Sequence, residues 1–300
     1  MQKYRWILAL ALSWMWAGQS CAEDVSLKLD NGLTVQGSLD LSEGKDLQND
    51  GVVLFVHGTL AHKDMAIVTA QRKLLNERGI NVLAINLSLG VDKRTGMYDC
   101  AVPHTHKHRD AIKEIGAWMN WLFGQGVTSV VLAGHSRGGN QAAWYMAQEN
   151  NPLIKKVVLI APQTWTAQKE INSYKARYGK DLAPILAQME EKVISGNGAD
   201  LNKGIDFIYC PNATLSADSF VDYYEPDEQF NTPSLLYKIK VPTLVVVGGQ
   251  DKVVSDLPKQ MKKVSLDTVS FHVIEDAGHM FIDFAGEDLA DQIADFLTGE

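Results

Sequence analysis

Apolar and polar residues follow two different rules along this chain. Near the start they alternate. Val25, Leu27 and Leu29 are separated by Ser26 and Lys28, and a second alternating stretch runs from Leu33 to Leu41 beyond Asn31-Gly32. Alternation is the period of a half-buried strand, and Asn-Gly permits a tight reversal, so an antiparallel β-hairpin is predicted. Further on the apolar residues run together, at Val52–Val56, Val82–Ile85, Val130–Ala133, Val157–Ile160 and Thr243–Val247. Unbroken runs of this length suit strands covered on both faces, as in a parallel sheet. Stretches with helical spacing lie between them, at 65–78, 110–123, 139–150 and 255–263. A last strand at 270–274 precedes a final helix near 287–297. Strands alternating with helices after an antiparallel start predict a three-layer α/β fold with a mostly parallel sheet.

One connection is too long for that plan. From Gln163 to Pro242 the chain spends 80 residues between two strands, where a crossover needs about a dozen or somewhat more. Leu182, Ile185, Leu186, Met189 and Val193 recur at helical spacing within it. Residues 163–242 are therefore expected to form a mostly helical lid inserted into a core made of 23–162 and 243–300. Most of its aromatic residues are expected to form its own small core. Phe220, Tyr223 and Tyr224 point to an apolar or aromatic part of a substrate. Asp218, Asp222, Glu225, Asp227 and Glu228 weigh against a strongly anionic one.

The first residues read as an export signal. Lys3 and Arg5 precede an apolar run from Trp6 to Ala17, and Ser20 and Ala22 suit cleavage after Ala22. The run falls short of the roughly 20 residues a spanning helix needs. An exported product, periplasmic or secreted, is expected, with residues 1–22 removed and no membrane association afterwards. The position three before Cys21, usually Leu in a lipidated signal, is Gly18, which argues against a lipid anchor. A composition 46% hydrophobic and 21% charged is that of a globular chain, not a disordered one. The net charge of −8, without a basic cluster, argues against nucleic acid and anionic membrane as partners.

The chemistry concentrates at Gly134-His135-Ser136-Arg137-Gly138-Gly139, which follows an apolar strand and opens a helix. This is a G-x-S-x-G elbow in its required context of strand, turn and helix. Ser136 sits on a sharp turn, and side chains at Gly134 or Gly138 would collide with the neighbouring strand and helix. A serine needs a base to become nucleophilic, and in such sites acid and then histidine follow it in the chain. Of the eight histidines only His272 and His279 come after Ser136. His272 lies inside a strand and is expected to be packed. His279 lies in the loop just beyond that strand, at the carboxyl edge where catalytic loops leave the sheet, and is the candidate base. Asp251 follows the preceding strand and is the candidate acid. Asp256 is expected to cap a helix, and Asp276 is too close in sequence to face His279. After Val52–Val56 come His57-Gly58-Thr59-Leu60. The backbone N–H of Arg137, with that of Thr59 or Leu60, should form the oxyanion hole.

His57-Gly58, the 134–139 elbow, Gly248-Gly-Gln-Asp251 and Gly278-His279 occur in the order and spacing of the α/β-hydrolase superfamily, as does Val241-Pro242-Thr243-Leu244 leading into the acid strand. The chain resembles that superfamily over residues 25–298, and most of all its capped monoacylglycerol-lipase and serine-aminopeptidase-like branch. The resemblance implies a serine hydrolase with a Ser-His-Asp triad, a small-molecule acyl substrate, an acyl-enzyme and no cofactor. It leaves open an acyltransferase, a peptidase or a non-catalytic binding module on the same scaffold, since function lives in the site.

Two further groups are singled out. His104, His106 and His108 have the spacing of metal ligands on a strand, but no cysteine or carboxylate cluster accompanies them. They are expected instead to cap a helix start beside the cleft. Cys100 and Cys210 remain after removal of Cys21 with the signal. An exported protein with an even cysteine count predicts a Cys100–Cys210 disulfide that pins the lid to the site's rim.

Overall fold

The structure, a computed structural model, describes residues 22–299. The expected signal and Cys21 lie outside the described residues. The chain opens with β1 (Glu23–Lys28) and β2 (Thr34–Asp40), paired antiparallel with Lys28 opposite Thr34. The hairpin is closed by three residues, Asp30 to Gly32, with Gly32 in the left-handed region at φ 88°. Asn31-Gly32 is therefore the end of a bulged loop rather than a two-residue turn.

After a single helical turn α1 (Leu47–Asp50) come β3 (Val52–Val56), α2 (Ala66–Glu77), β4 (Val82–Ile85), α3 (Asp110–Gly124), β5 (Val130–His135), α4 (Arg137–Glu149) and β6 (Ile154–Ile160). The inserted segment holds α5 (Ala167–Tyr178), α6 (Leu182–Ile194), β7 (Leu201–Phe207), β8 (Cys210–Ser216), α7 (Ala217–Tyr224) and the short α8 (Thr232–Leu235). The core resumes with β9 (Thr243–Gly248), α9 (Leu257–Met261), β10 (Val269–Ile274) and α10 (Phe284–Thr298).

Eight strands form one sheet in the order β1-β2-β4-β3-β5-β6-β9-β10. From β4 to β10 all neighbours are parallel; β1 and β2 are antiparallel additions at one edge. Every residue of β3, β4 and β9 is buried, which is what their unbroken apolar runs require. Helix α2 packs with α10, and α3 with α4, giving the three layers. Burial runs along one stripe of α2, at Ile67, Val68, Gln71 and Leu75, whereas α4 is buried on all sides from Gly138 to Met146.

The register aligns the chemistry. Val56 of β3 pairs with Gly134 of β5, His135 with Ile160 of β6, and Gly248 of β9 with Ile274 of β10. The loops bearing Thr59, Ser136, Asp251 and His279 thus leave the sheet at one edge, the carboxyl ends of the strands. β10 is the outer strand, so its residues alternate between half-buried and exposed, and His272 is exposed rather than packed. Helix α9 covers only Leu257–Met261, shorter than its pattern implied, and α10 begins at Phe284, before the expected start. No helix among the described residues is long and apolar enough to cross a membrane.

The insertion is helical with an antiparallel hairpin added. β7 and β8 pair with two register shifts, and the segment at His104 bridges Leu215, extending that hairpin with core chain. The Cys100–Cys210 disulfide fastens the same junction. Phe207 and Phe220 are fully buried in the insertion's own core against Tyr174 and Tyr224.

Candidate active site

Ser136 joins β5 to α4 at φ 57° and ψ −120°, a conformation that is strained for a side chain-bearing residue. The turn holds because its flanks are glycine. A Cβ on Gly134 would stand 2.3 Å from the Gly138 carbonyl oxygen, and one on Gly138 would stand 2.3 Å from that of His57. Neither contact can be relieved, since both partners are backbone. The helix starts at Arg137, two residues earlier than its periodicity showed, so its N-terminal amides lie directly against Ser136.

Ser136 Oγ lies 3.0 Å from His279 Nε2, and His279 Nδ1 lies 2.7 Å from Asp251 Oδ2. The other Asp251 oxygen accepts the amides of Val253 at 2.7 Å and Val254 at 3.0 Å. Burial alone would raise the Asp251 pKa; the bonds from His279 and these amides outweigh it and hold the carboxyl below its ordinary value. An ionised Asp251 fixes His279 with the proton on Nδ1, leaving Nε2 free to accept from Ser136.

Two more histidines, both buried, shape this edge. His135 donates from Nε2 to the His279 carbonyl at 2.9 Å. His57 donates from Nδ1 to the Gly58 carbonyl at 2.8 Å, and its Nε2 accepts from the Leu87 amide and the Arg94 guanidinium. Burial pushes each down to about 3, so each is a neutral ring with a fixed tautomer. The loop that His57 orients brings Gly58 against Ser136. Neither the Thr59 nor the Leu60 amide has an acceptor among the described residues, and the Arg137 amide, first in α4, has none within its helix.

A cleft of about 120 Å³ opens over Ser136, walled by Arg137, Lys169, Glu170, Arg177, Tyr223 and Tyr224 among others. Phe220 is not part of it; it belongs to the insertion's core. Nor are the acids expected to face a substrate. Asp218 and Asp222 pair with Lys107 and Arg109 instead, and Glu225, Asp227 and Glu228 are absent from the lining. Asp256 stands at the start of α9, but its carboxylate accepts from Thr164 and Lys169 of the insertion and from Gln260, not from the first helix amides. A larger cavity of about 670 Å³ lies between the hairpin loop and α3, away from Ser136.

The three alternating histidines do not cap a helix. The carboxylate of Asp110 bonds the Lys107 amide at the start of α3. All three rings are buried under the insertion. His104 bonds His106 at 3.1 Å, and His106 bonds the Tyr223 hydroxyl at 2.9 Å. His108 stacks on Phe230 and accepts from Arg137 Nη1 at 2.9 Å. No group of three metal-binding side chains occurs among the described residues. The histidines position Tyr223 and Arg137, two walls of the cleft, a role no local pattern announces because both partners are distant in sequence.

Residues 48–283 match the protein family described as Hydrolase_4: Serine aminopeptidase, S33. The chain belongs to this family. It is a serine hydrolase with the α/β-hydrolase fold, as its motifs implied. No curated protein matches the sequence significantly. Among solved structures it is similar to Est1E from Butyrivibrio proteoclasticus with ferulic acid bound, at 19% identity and a TM-score of 0.66, over 92% of this chain and 98% of that one. It is also similar to the Pyrococcus furiosus esterase Pf2001, at 19% identity and a TM-score of 0.58, over 93% of each chain. An alpha-beta serine hydrolase homologue from Coxiella burnetii aligns at 17% identity with a TM-score of 0.56, over 91% of this chain and 95% of that one. At these identities the likeness is one of fold. Within the Hydrolase_4 family the elbow, acid and histidine loops of this chain stand where its sheet edge gathers them.

Proposed function

We propose that this member of the family is an exported hydrolase of small carboxylic esters that works through an acyl-enzyme on Ser136. The observation that carries the reading is the unbroken row Ser136–His279–Asp251, with bonds of 3.0 and 2.7 Å. His279 Nε2 takes the Ser136 proton as Oγ attacks the ester carbonyl, and Asp251 stabilises the imidazolium that forms. The oxyanion is received by the amide of Arg137 and by that of Thr59 or Leu60. His279 returns its proton to the leaving alkoxide. Water, activated by the same imidazole, then releases the acid and regenerates Ser136.

Ester substrates are favoured by two of the fold relatives, an esterase and a protein with ferulic acid bound. The family's description names an aminopeptidase, which supports amide cleavage by the same residues as a second reading. Export is supported by the signal-like pattern of residues 1–22 and by the Cys100–Cys210 disulfide. The deciding experiment is a fluorophosphonate probe followed by esters and aminoacyl amides of matched acyl groups. Labelling of Ser136 with ester turnover supports the proposal. Labelling of another serine, or amide turnover exceeding ester turnover, overturns it.

A further inference from the structure

The cleft over Ser136 holds more positive than negative charge. Three cations face it, Arg137, Lys169 and Arg177, against one carboxyl, Glu170. Lys169 is already neutralised by Asp256 at 2.7 Å. The two guanidinium groups have no carboxylate within ion-pair distance among the described residues. Arg137 donates to the Thr59 hydroxyl at 3.0 Å and to neutral His108 at 2.9 Å, with the Tyr223 ring 5.1 Å away. Arg177 donates to the Ile208 carbonyl at 2.6 Å and stacks on Tyr209 at 4.4 Å. Every partner is uncharged, and each leaves part of a five-donor fork unused.

Glu170 is half-buried between these cations, and among the described residues its carboxyl makes no hydrogen bond and no ion pair with either guanidinium; burial pushes its pKa up. With Glu170 ionised, two guanidinium groups against one carboxyl leave a surplus of one positive charge, shared between a half-buried Arg137 and an exposed Arg177 at the cleft's mouth. Such a charge is stabilised by a counter-charge brought in by a ligand. A planar guanidinium fork matches a carboxylate in shape, and one surplus charge matches a monoanion better than a phosphate dianion.

We propose that this cleft is a carboxylate-recognition subsite, and that the ester cleaved at Ser136 carries a second, ionised carboxyl group held by Arg137 and Arg177. The proposal rests on the reading of Ser136 as the nucleophile and adds the substrate class. The insertion supplies Arg177 and the elbow supplies Arg137, so the subsite exists only where cap and core meet.

Two matched substrate pairs test it on the mature protein. Ethyl hydrogen adipate against diethyl adipate places the charge on the acyl side. The acetate ester of 4-hydroxybenzoic acid against that of its methyl ester places it on the leaving side. Rates are corrected for uncatalysed hydrolysis and for the two equivalent esters of the diethyl compound. The expected result is that kcat/KM favours the charged member of at least one pair by about tenfold or more. Arg177→Gln should collapse that ratio, which is read within one enzyme preparation and so is insensitive to the amount of folded protein. Preference for the neutral member in both pairs, with Ser136 labelled normally by a fluorophosphonate, overturns the subsite and leaves the hydrolase reading standing. A preference for charge that Arg177→Gln leaves unaltered also overturns it. Absence of labelling at Ser136 overturns both.

Discussion

His135, the residue before Ser136, donates its Nε2 proton to the backbone carbonyl of His279 at 2.9 Å. The elbow therefore holds the loop that carries His279, the proposed base. Removing the donor while keeping a ring, as in His135→Phe, should loosen His279 and lower kcat by roughly tenfold with little change in KM, as expected for a group that sets reacting geometry. Steady-state kinetics on an ester would show it; a change confined to KM would contradict the positioning role.

The three residues of the proton path should act as one unit. Ser136→Ala, His279→Ala and Asp251→Asn are each expected to reduce kcat by ~10⁴-fold or more, and a Ser136→Ala/His279→Ala double variant should lose little beyond the single ones. Additive losses in the double variant would mean that the two side chains serve separate steps. Circular dichroism would establish that the variants remain folded.

Acid should unfold the protein early. His57 and His135 are pushed down to about 3 and His104 to about 4, while His106 and His108 lie well below their ordinary value, all chiefly by burial. In the unfolded chain these rings protonate near pH ~6.5. Between that pH and the folded values the unfolded state binds more protons, so stability is full above about 6.5 and falls as pH drops. Each ring contributes up to ~1.4 kcal/mol per pH unit in that window. Glu114, pushed up to about 7 by burial, works in the opposite sense and loses stability as pH rises from 4.5. Asp110 and Glu170, also pushed up by burial, act in the same sense as Glu114, but five rings outweigh three carboxyls, so the melting temperature should decline from pH 6.5 to 4. A flat profile over that interval would show that the rings are hydrated.

The Cys100–Cys210 bond spans a sequence separation of 110. Cys100→Ser/Cys210→Ser should lower stability by about 2–4 kcal/mol. For a chain of this size that is a fall of roughly 5–10 °C in melting temperature. Calorimetry in non-reducing buffer measures it. An unchanged melting temperature would mean that the hairpin and its bridge to His104 hold the junction alone.

The parts legible in the sequence were those with local causes. Ser136 announced itself because its glycine neighbours are forced by contacts within a few residues, and Asp251 and His279 because each follows a strand whose apolar run is unmistakable. Asp256 misled because a residue at a helix start looks like a cap whether its carboxylate turns to the helix or across to Lys169. His272 misled because periodicity does not say which strand is outermost. The β7–β8 hairpin stayed hidden because Gly204, Asn212 and two register shifts break its alternation. The pairing of Arg137 with His108, and the charges of Lys169, Glu170 and Arg177 around Ser136, depend on how the insertion folds back, which no short window records.

The chain enters the insertion at Gln163 and returns at Pro242, and those two crossings alone would make a hinge. The disulfide at Cys210 and the bridge between His104 and Leu215 add a third mount away from that axis. A plate held at three such points does not swing as one piece. Tyr223 and Tyr224, on the helix that follows the mount, form one side of the cleft. Lys169, Glu170 and Arg177 ride on α5, which begins four residues beyond the Gln163 crossing and is tied to the β7–β8 hairpin by Tyr174 on the Asp206 carbonyl and by Arg177 and Tyr178 on that of Ile208. Both walls of the cleft therefore hang from the same clamped hairpin, so the charged groups and the tyrosines keep one spacing over Ser136 and a ligand meets them as a single fixed frame.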